Sequence, residues 1–323
     1  MIIKLILTIF CWLAVLPIIY GFSFGIHYNF FIILVYASLL FIMFIFSRIT
    51  TKIIICVLFF VTYLILKDFP SEENLWKAGN FFIIFSAFLP SLWLLRSTAI
   101  TMPSIEKTQN LLSNLVSTKI LSGIQVTSHV LGGVLNIGTF PLLSSVIPKN
   151  AKYKMRQDAG EAAIRGMNTA VLWSPFFVSF AVGQLYLPSQ SAWLGIAFGL
   201  LVALIFNLIS VRFLIGRFTL IYLLEAISCV KPIFPRLLIL SLSVLAVGQI
   251  FDKTALNAIV IVIPILVVVQ MFRRPETTKA IISNLNNLIL KSGDEMLLIS
   301  VSMFLGSILS GSVEIQNFIS NNV

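Results

Sequence analysis

Charge is what this chain has least of. Asp, Glu, Lys and Arg make up 11% of its 323 residues, against about 25% in an ordinary soluble domain. With 59% apolar residues and a mean hydropathy of +1.03, the apolar surface exceeds what one aqueous core hides. A soluble globular function is therefore set aside. Acidic residues are the scarcer sign, 12 against 22 basic, for a net charge of +10. The basic residues sit in short polar breaks between apolar runs and form no single patch. That pattern excludes a nucleic-acid surface and matches the positive-inside rule.

Reactive side chains are also few. The three cysteines, Cys11, Cys56 and Cys229, lie in apolar stretches without CxxC spacing, so buried unpaired thiols are expected and no metal site. There is no HExxH, no paired carboxylate motif and no long polar loop to bring charged groups together at the water boundary, so an enzyme is not expected. No cofactor is implied. Asp and Glu are absent from every clear apolar run, which leaves His129 as the only candidate for proton coupling; a hydrogen-bonded structural role is the commoner meaning of a lone His. The first twenty residues carry one Lys and no small-x-small cleavage site, so they read as an uncleaved first helix.

What is present is a series of long apolar runs. Residues 29–46 and 192–211 approach or reach the ~20 residues needed for one helical crossing. Their continuity, without period-two alternation, predicts helices rather than barrel strands. The expected class is an all-α polytopic helical membrane protein. Residues 1–28 form an extra N-terminal helix, with further helices at about 29–47, 52–66 and 79–99. Residues 102–117 alternate apolar and polar at helical spacing and predict an amphipathic interfacial helix. The 119–148 segment is apolar but rich in Gly and hydroxyl residues. Residues 149–165 are strongly basic. A helix over 158–187 is broken at Trp173-Ser174-Pro175, and a closing helix spans 192–211.

Charge sets the orientation. The break holding Arg48 and Lys52 is purely basic and reads as cytoplasmic, which places the N-terminus in the cytoplasm as well. Lys119 at one end of 119–148 and Lys149, Lys152, Lys154 and Arg156 at the other place both ends on the same side. Thirty residues cannot cross twice, since two crossings and a turn need about 40, so a re-entrant hairpin is expected. Its tip falls near 134–139, where Gly138 frees the backbone.

The layout begins a second time. Leu112-Ser113-Asn114-Leu115 reads against Ile282-Ser283-Asn284-Leu285. At nearly the same offset, Leu131-Gly132-Gly133-Val134-Leu135 reads against Leu305-Gly306-Ser307-Ile308-Leu309. Residues 29–212 are the first repeat and 213–323 a second, incomplete one. Repeats with broken helices mark secondary transporters.

An amphipathic arm, a re-entrant hairpin and a crossing broken at Ser-Pro, started twice over roughly residues 30–315, resemble the ion transporter superfamily. That group holds the divalent anion:sodium symporters, the large permease subunits of tripartite dicarboxylate systems and arsenite permease-like proteins. Where the symporters carry Ser-Asn-Thr at a hairpin tip, this chain has Asn136-Ile137-Gly138-Thr139. Their Gly-Thr-Pro-Pro-Asn element is absent, and Trp173-Ser174-Pro175 occupies the comparable break. The resemblance implies an inverted-repeat fold of about nine crossings. It implies ion-coupled secondary transport of a small anion, a carboxylate or oxyanion, in the bacterial inner (plasma) membrane. Asn136, Gly138, Thr139, Ser174 and Pro175 are the substrate and ion site it points to, with Na+ as a coupling ion that neutral oxygens can hold. Pro141 and Pro175 are suited to the first turns of half-helices, whose N-termini favour anions.

Two expectations follow from the repeat. An inverted second copy requires residues 213–231 to cross, despite Arg217 and Glu225; the positive-inside rule would leave them at the interface. The second copy also runs out after Leu305, so the layout predicts truncation, a partner chain or a homodimer that completes it. The alternatives to a transporter are a polytopic enzyme acting on a lipid-linked substrate and a membrane subunit of a larger transport complex.

Overall fold

The computed structural model describes residues 26–66, 68–116, 119–186, 189–214 and 220–312, with residues 9, 12–15 and 315 besides. Every regular element among them is a helix. Most of the expected first helix, Cys11, Arg217 and most of the last ten residues lie outside the described residues.

Thirteen helices are named in chain order: α1 Ile26–Ile45, α2 Ile49–Ile65, α3 Glu72–Ile100, α4 Pro103–Ser113, α5 Ile120–Leu135, α6 Thr139–Ser144, α7 Tyr153–Ala170, α8 Val178–Tyr186, α9 Ser189–Leu214, α10 Leu220–Val230, α11 Phe234–Ile250, α12 Ala255–Arg273 and α13 Pro275–Ser310. Among the described residues, five stretches are long and apolar enough to cross a membrane by length and composition, or six if the bent pair Leu223–Val230 and Phe234–Ile250 counts as one; one of the five, Ile120–Ser144, folds back on itself. The chain thus has the several long apolar helices of an integral membrane protein. About nine crossings were expected. The difference comes in part from α2, which at 17 residues falls short, and from most of the first helix lying outside the described residues.

Two compact units divide the chain. One comprises Met1–Trp93 and Thr278–Val323, the other Leu94–Thr277. In the first, aromatic edges and small hydroxyls pack the helices. Tyr36 meets Phe82 edge-on at 5.4 Å and Phe82 meets Phe304 at 5.7 Å. The buried Ser86 and Ser300 hydroxyls share a hydrogen bond of 2.6 Å, the kind of inter-helix link that substitutes for hydrophobic drive in lipid. Asn74 donates to the Gly311 carbonyl at 2.8 Å, and a Cβ at 311 would meet that same carboxamide 2.6 Å away.

The second unit is built around α5 and α7. Small residues make their contact. Ala159, Ala162, Ala163, Gly166, Thr169 and Ala170 form one buried stripe of α7, at the i, i+3, i+4, i+7 spacing of a helix face. Gly166 lies directly on the Gln125 carbonyl, and a Cβ there would fall 2.9 Å from the His129 nitrogen. Ser128 donates to the Ala163 carbonyl at 2.6 Å, His129 meets Thr169, and Ser174 meets Gly133. Partner numbers rise together, so α5 and α7 run parallel.

Parallel neighbours require the chain between them to travel back. It does so at Asn136, after which Leu143 and Val146 rejoin Ile120 and Ile124 in one buried cluster. Gln109 of α4 anchors the return, donating to the Leu142 carbonyl at 2.9 Å and the Ser145 hydroxyl at 3.0 Å. Lys119 and Lys149 therefore lie at the same end of this helical hairpin, called its base below. Lys119 is held there by Glu225 of α10 at 2.8 Å.

The basic stretch 149–165 is mostly helical: α7 starts at Tyr153, and its stripe of small residues is buried while Lys154 and Glu161 are exposed. Within 213–231, residues 220–230 form the 11-residue α10, and residues 215–219 lie outside the described residues. α10 ends in a 69° bend into α11. The second-copy motifs do not repeat the first copy's break, since Ile282–Leu285 and Leu305–Leu309 both lie on the continuous 36-residue α13. Gly293 alone does not interrupt a helix that long.

Candidate functional site

At the turn of the hairpin, Asn136 takes φ 52 and ψ −136, a positive-φ conformation that L-residues rarely enter. Its side-chain oxygen accepts the Ile137 N–H at 2.8 Å, which fixes the turn. Gly138 was expected to free the backbone. It instead has φ −59, an ordinary helical value. It is needed for space, because a Cβ there would stand 2.7 Å from Cδ and 2.9 Å from Nε of Arg96. The guanidinium stem of α3 thus lies across the tip. Thr139 follows, fully buried, with an Oγ1 that makes no hydrogen bond.

The second half of the expected site meets the hairpin from α7. Ser174 is fully buried, donates to the Gly133 carbonyl and accepts the Phe176 N–H at 3.1 Å. Those bonds make it a stitch across the helix break, with its hydrogen and one of its two lone pairs already engaged. Pro175 is buried within the turn that separates α7 from α8. Trp173 covers Gly133, where a Cβ would meet its ring at 2.7 Å, and tilts against His129 with ring centroids 5.7 Å apart. The structure brings Asn136, Gly138 and Thr139 together at the tip, with Ser174 and Pro175 beside the last turn of α5. Half-helix N-termini contribute less than expected: α6 has only six residues, too short to align many peptide dipoles, and α8 begins three residues after Pro175.

Several polar residues passed unnoticed in the sequence. The run 192–211 looked uniformly apolar, yet Asn207 of α9 is 7% exposed and ties three helices together. It accepts from Gln125 Nε2 at 3.1 Å and donates to Thr169 Oγ1 at 2.6 Å. Ser210 completes the contact to Gln125 at 3.5 Å. Thr169 Oγ1 donates to the Gly166 carbonyl at 2.7 Å and also meets His129 Nδ1 at 2.9 Å. With its one hydrogen given to Gly166, Thr169 can only accept from His129, so Nδ1 carries the ring proton. His129 is one member of a satisfied network, the commoner of its two meanings. The only available signal was a single carboxamide in an apolar run.

A cavity of about 250 Å³ adjoins the tip. Val134 and Leu135, the last turn before Asn136, form part of its wall, and Thr98, Gln270, Arg236 and Arg273 supply its polar groups. No Asp or Glu lines it. Among the described residues no cluster of His, Cys, Asp and Glu could hold a metal ion.

Comparison with family models, with curated proteins and with solved structures finds no match to this chain.

Proposed function

We propose that this chain is an ion-coupled secondary transporter of a small anion, a carboxylate or oxyanion, with its site at the hairpin tip. One observation carries the reading. α7 packs along α5, yet its other face bears Lys154, Asp158, Glu161 and Arg165, with Lys154 and Glu161 exposed. At the depth of a bilayer, such a face is tolerated only against water. An aqueous vestibule along α7 would therefore lead from the hairpin base toward Thr139 and Arg96. The tip it reaches is positive in character, with Arg96 on Gly138 and Arg236 and Arg273 at the adjoining cavity. Arg suits planar carboxylates and oxyanions through paired N–H donors. The oxygens of Asn136 and Thr139, with turn carbonyls, are of the kind that hold Na+ where helices break.

This reading adopts the layout of the ion transporter superfamily for the hairpin and the broken helix, in a bacterial inner membrane. The hairpin base and the N-terminus face the cytoplasm, as the positive-inside rule orders them. The test is uptake by the purified chain in liposomes, over a panel of carboxylates and oxyanions, with and without a sodium gradient. Arg96→Gln and Thr139→Val should each lower uptake by about tenfold or more, the weight of one hydrogen bond to a charged group. Ser113→Ala on α4 should leave it unchanged. Saturable uptake that ignores both tip substitutions would place the site elsewhere, and no uptake of any anion would overturn the transporter reading.

A further inference from the structure

We infer that a second cavity, at the base of the hairpin, binds a phospholipid of net negative charge. The cavity is about 560 Å³, within the ~300–1,000 Å³ range of ligand sites. Its walls are Ile124 of α5, Phe140 and Leu143 of α6, and Ile147. Its rim is cationic, with Lys149 and Arg156 both lining it. An apolar chamber with a cationic rim fits a ligand that is hydrocarbon at one end and anionic at the other. A free inorganic anion has no use for the apolar walls, and a neutral lipid has none for the rim.

The rim is built and its charge is uncompensated. Arg156 Nε donates to the Ala151 carbonyl at 3.2 Å and its Nη2 to the Lys149 carbonyl. These bonds hold the guanidinium in place and neutralise none of its charge. Neither Arg156 nor Lys149 forms an ion pair among the described residues. The nearest acidic group along α7 that is engaged, Glu161, pairs with Arg165 at 3.3 Å. Lys152 and Lys154 add positive charge beside the rim. Basic pockets between helices on the cytoplasmic side are the sites where anionic headgroups settle. The hairpin base is also where an interfacial headgroup would lie if α5 enters the bilayer from that end.

Gly160 offers a direct test. It lines the cavity, and an added Cβ there meets nothing within 4 Å, so a large side chain can fill the chamber without disturbing the α5 contact. The purified, delipidated chain would be titrated with phosphatidylglycerol and, separately, with phosphatidylcholine of the same acyl chains, and bound lipid read by native mass spectrometry. Wild-type protein should bind phosphatidylglycerol at least several-fold more tightly. Gly160→Trp should lose that preference at an unchanged melting temperature. Lys149→Gln, which spares the Arg156 bonds to the loop, should weaken phosphatidylglycerol alone. Soluble glycerol phosphate should fail to compete. Equal binding of the two lipids by wild type, retained preference in Gly160→Trp, or full competition by glycerol phosphate would each overturn the proposal. If Gly160→Trp does not fold, Lys149→Gln decides, and an unchanged lipid preference in that variant rejects it.

Discussion

Two glycines on one helix show how little residue type says without its surroundings. Gly160 and Gly166 both belong to α7. A Cβ at 160 enters open space, while at 166 it enters the backbone of α5, against the Gln125 carbonyl and the His129 nitrogen. Backbone cannot swing aside as a side-chain terminus does, so the helices would have to separate. Gly166→Ala should therefore destabilise by about 1–3 kcal/mol, the usual cost of overpacking. Gly160→Ala should be neutral or slightly stabilising, since Ala is the better helix former. Thermal melts of both variants in detergent check this. Equal melting temperatures would mean that α5 and α7 do not touch at Gly166. Separation at that point would also pull His129 from Thr169 and Gln125 from Asn207, so the polar network and the small-residue stripe depend on each other.

At the scale of elements, the hairpin is the feature on which most else rests. Its two ends were legible because Lys119 and Lys149 bracket thirty residues, too few to cross twice. The turn at Asn136 was placed within a few residues, but the wrong residue was credited with it. Gly138 is a spacer for Arg96, and the unusual dihedrals belong to Asn136. Sidedness is testable in a cysteine-free background. Val116→Cys and Asn150→Cys, both exposed positions at the base, should react with a membrane-impermeant maleimide from the same side. Ile137→Cys, exposed at the tip, should be slower from that side. Labelling of 116 and 150 from opposite sides would show one straight crossing and remove the return at Asn136.

For the whole molecule, the decisive property is the outward face of its apolar helices. On α9, Phe198, Leu201, Ile205 and Phe206 are all more than half exposed or nearly so, at 67%, 55%, 50% and 54%. On α2, Phe60 and Leu64 are 61% and 65% exposed. In water these surfaces would associate without limit; in a bilayer they face acyl chains. The chain should stay in the membrane pellet through alkaline carbonate. Leu201→Lys, which places a charge near the centre of α9 at a cost of about 2.5–3.5 kcal/mol on insertion scales, should shift a measurable fraction into the soluble or degraded pool. Full release of the unaltered chain by carbonate would contradict the membrane reading.

Apolar run length, the positions of Lys and Arg, and the Ser-Pro pair and Gly-rich stretch are local properties, and the sequence by itself determined from them a helical chain, the approximate place of its breaks and the end of the hairpin that carries charge. The remainder depends on which helix faces meet. That Arg96 lies on Gly138, that Asn207 links Gln125 to Thr169, and that Ser174 spends its hydroxyl on the Gly133 carbonyl are contacts between residues some 40–80 positions apart. No periodicity within one segment encodes them. Charges dominate the composition of the stretch before Arg165; only the parallel packing of α7 on α5 shows the buried stripe of Ala and Gly beneath them. Tertiary structure decided the chemistry of the tip for one reason: a polar side chain acquires a role from its partners, and those partners come from other helices.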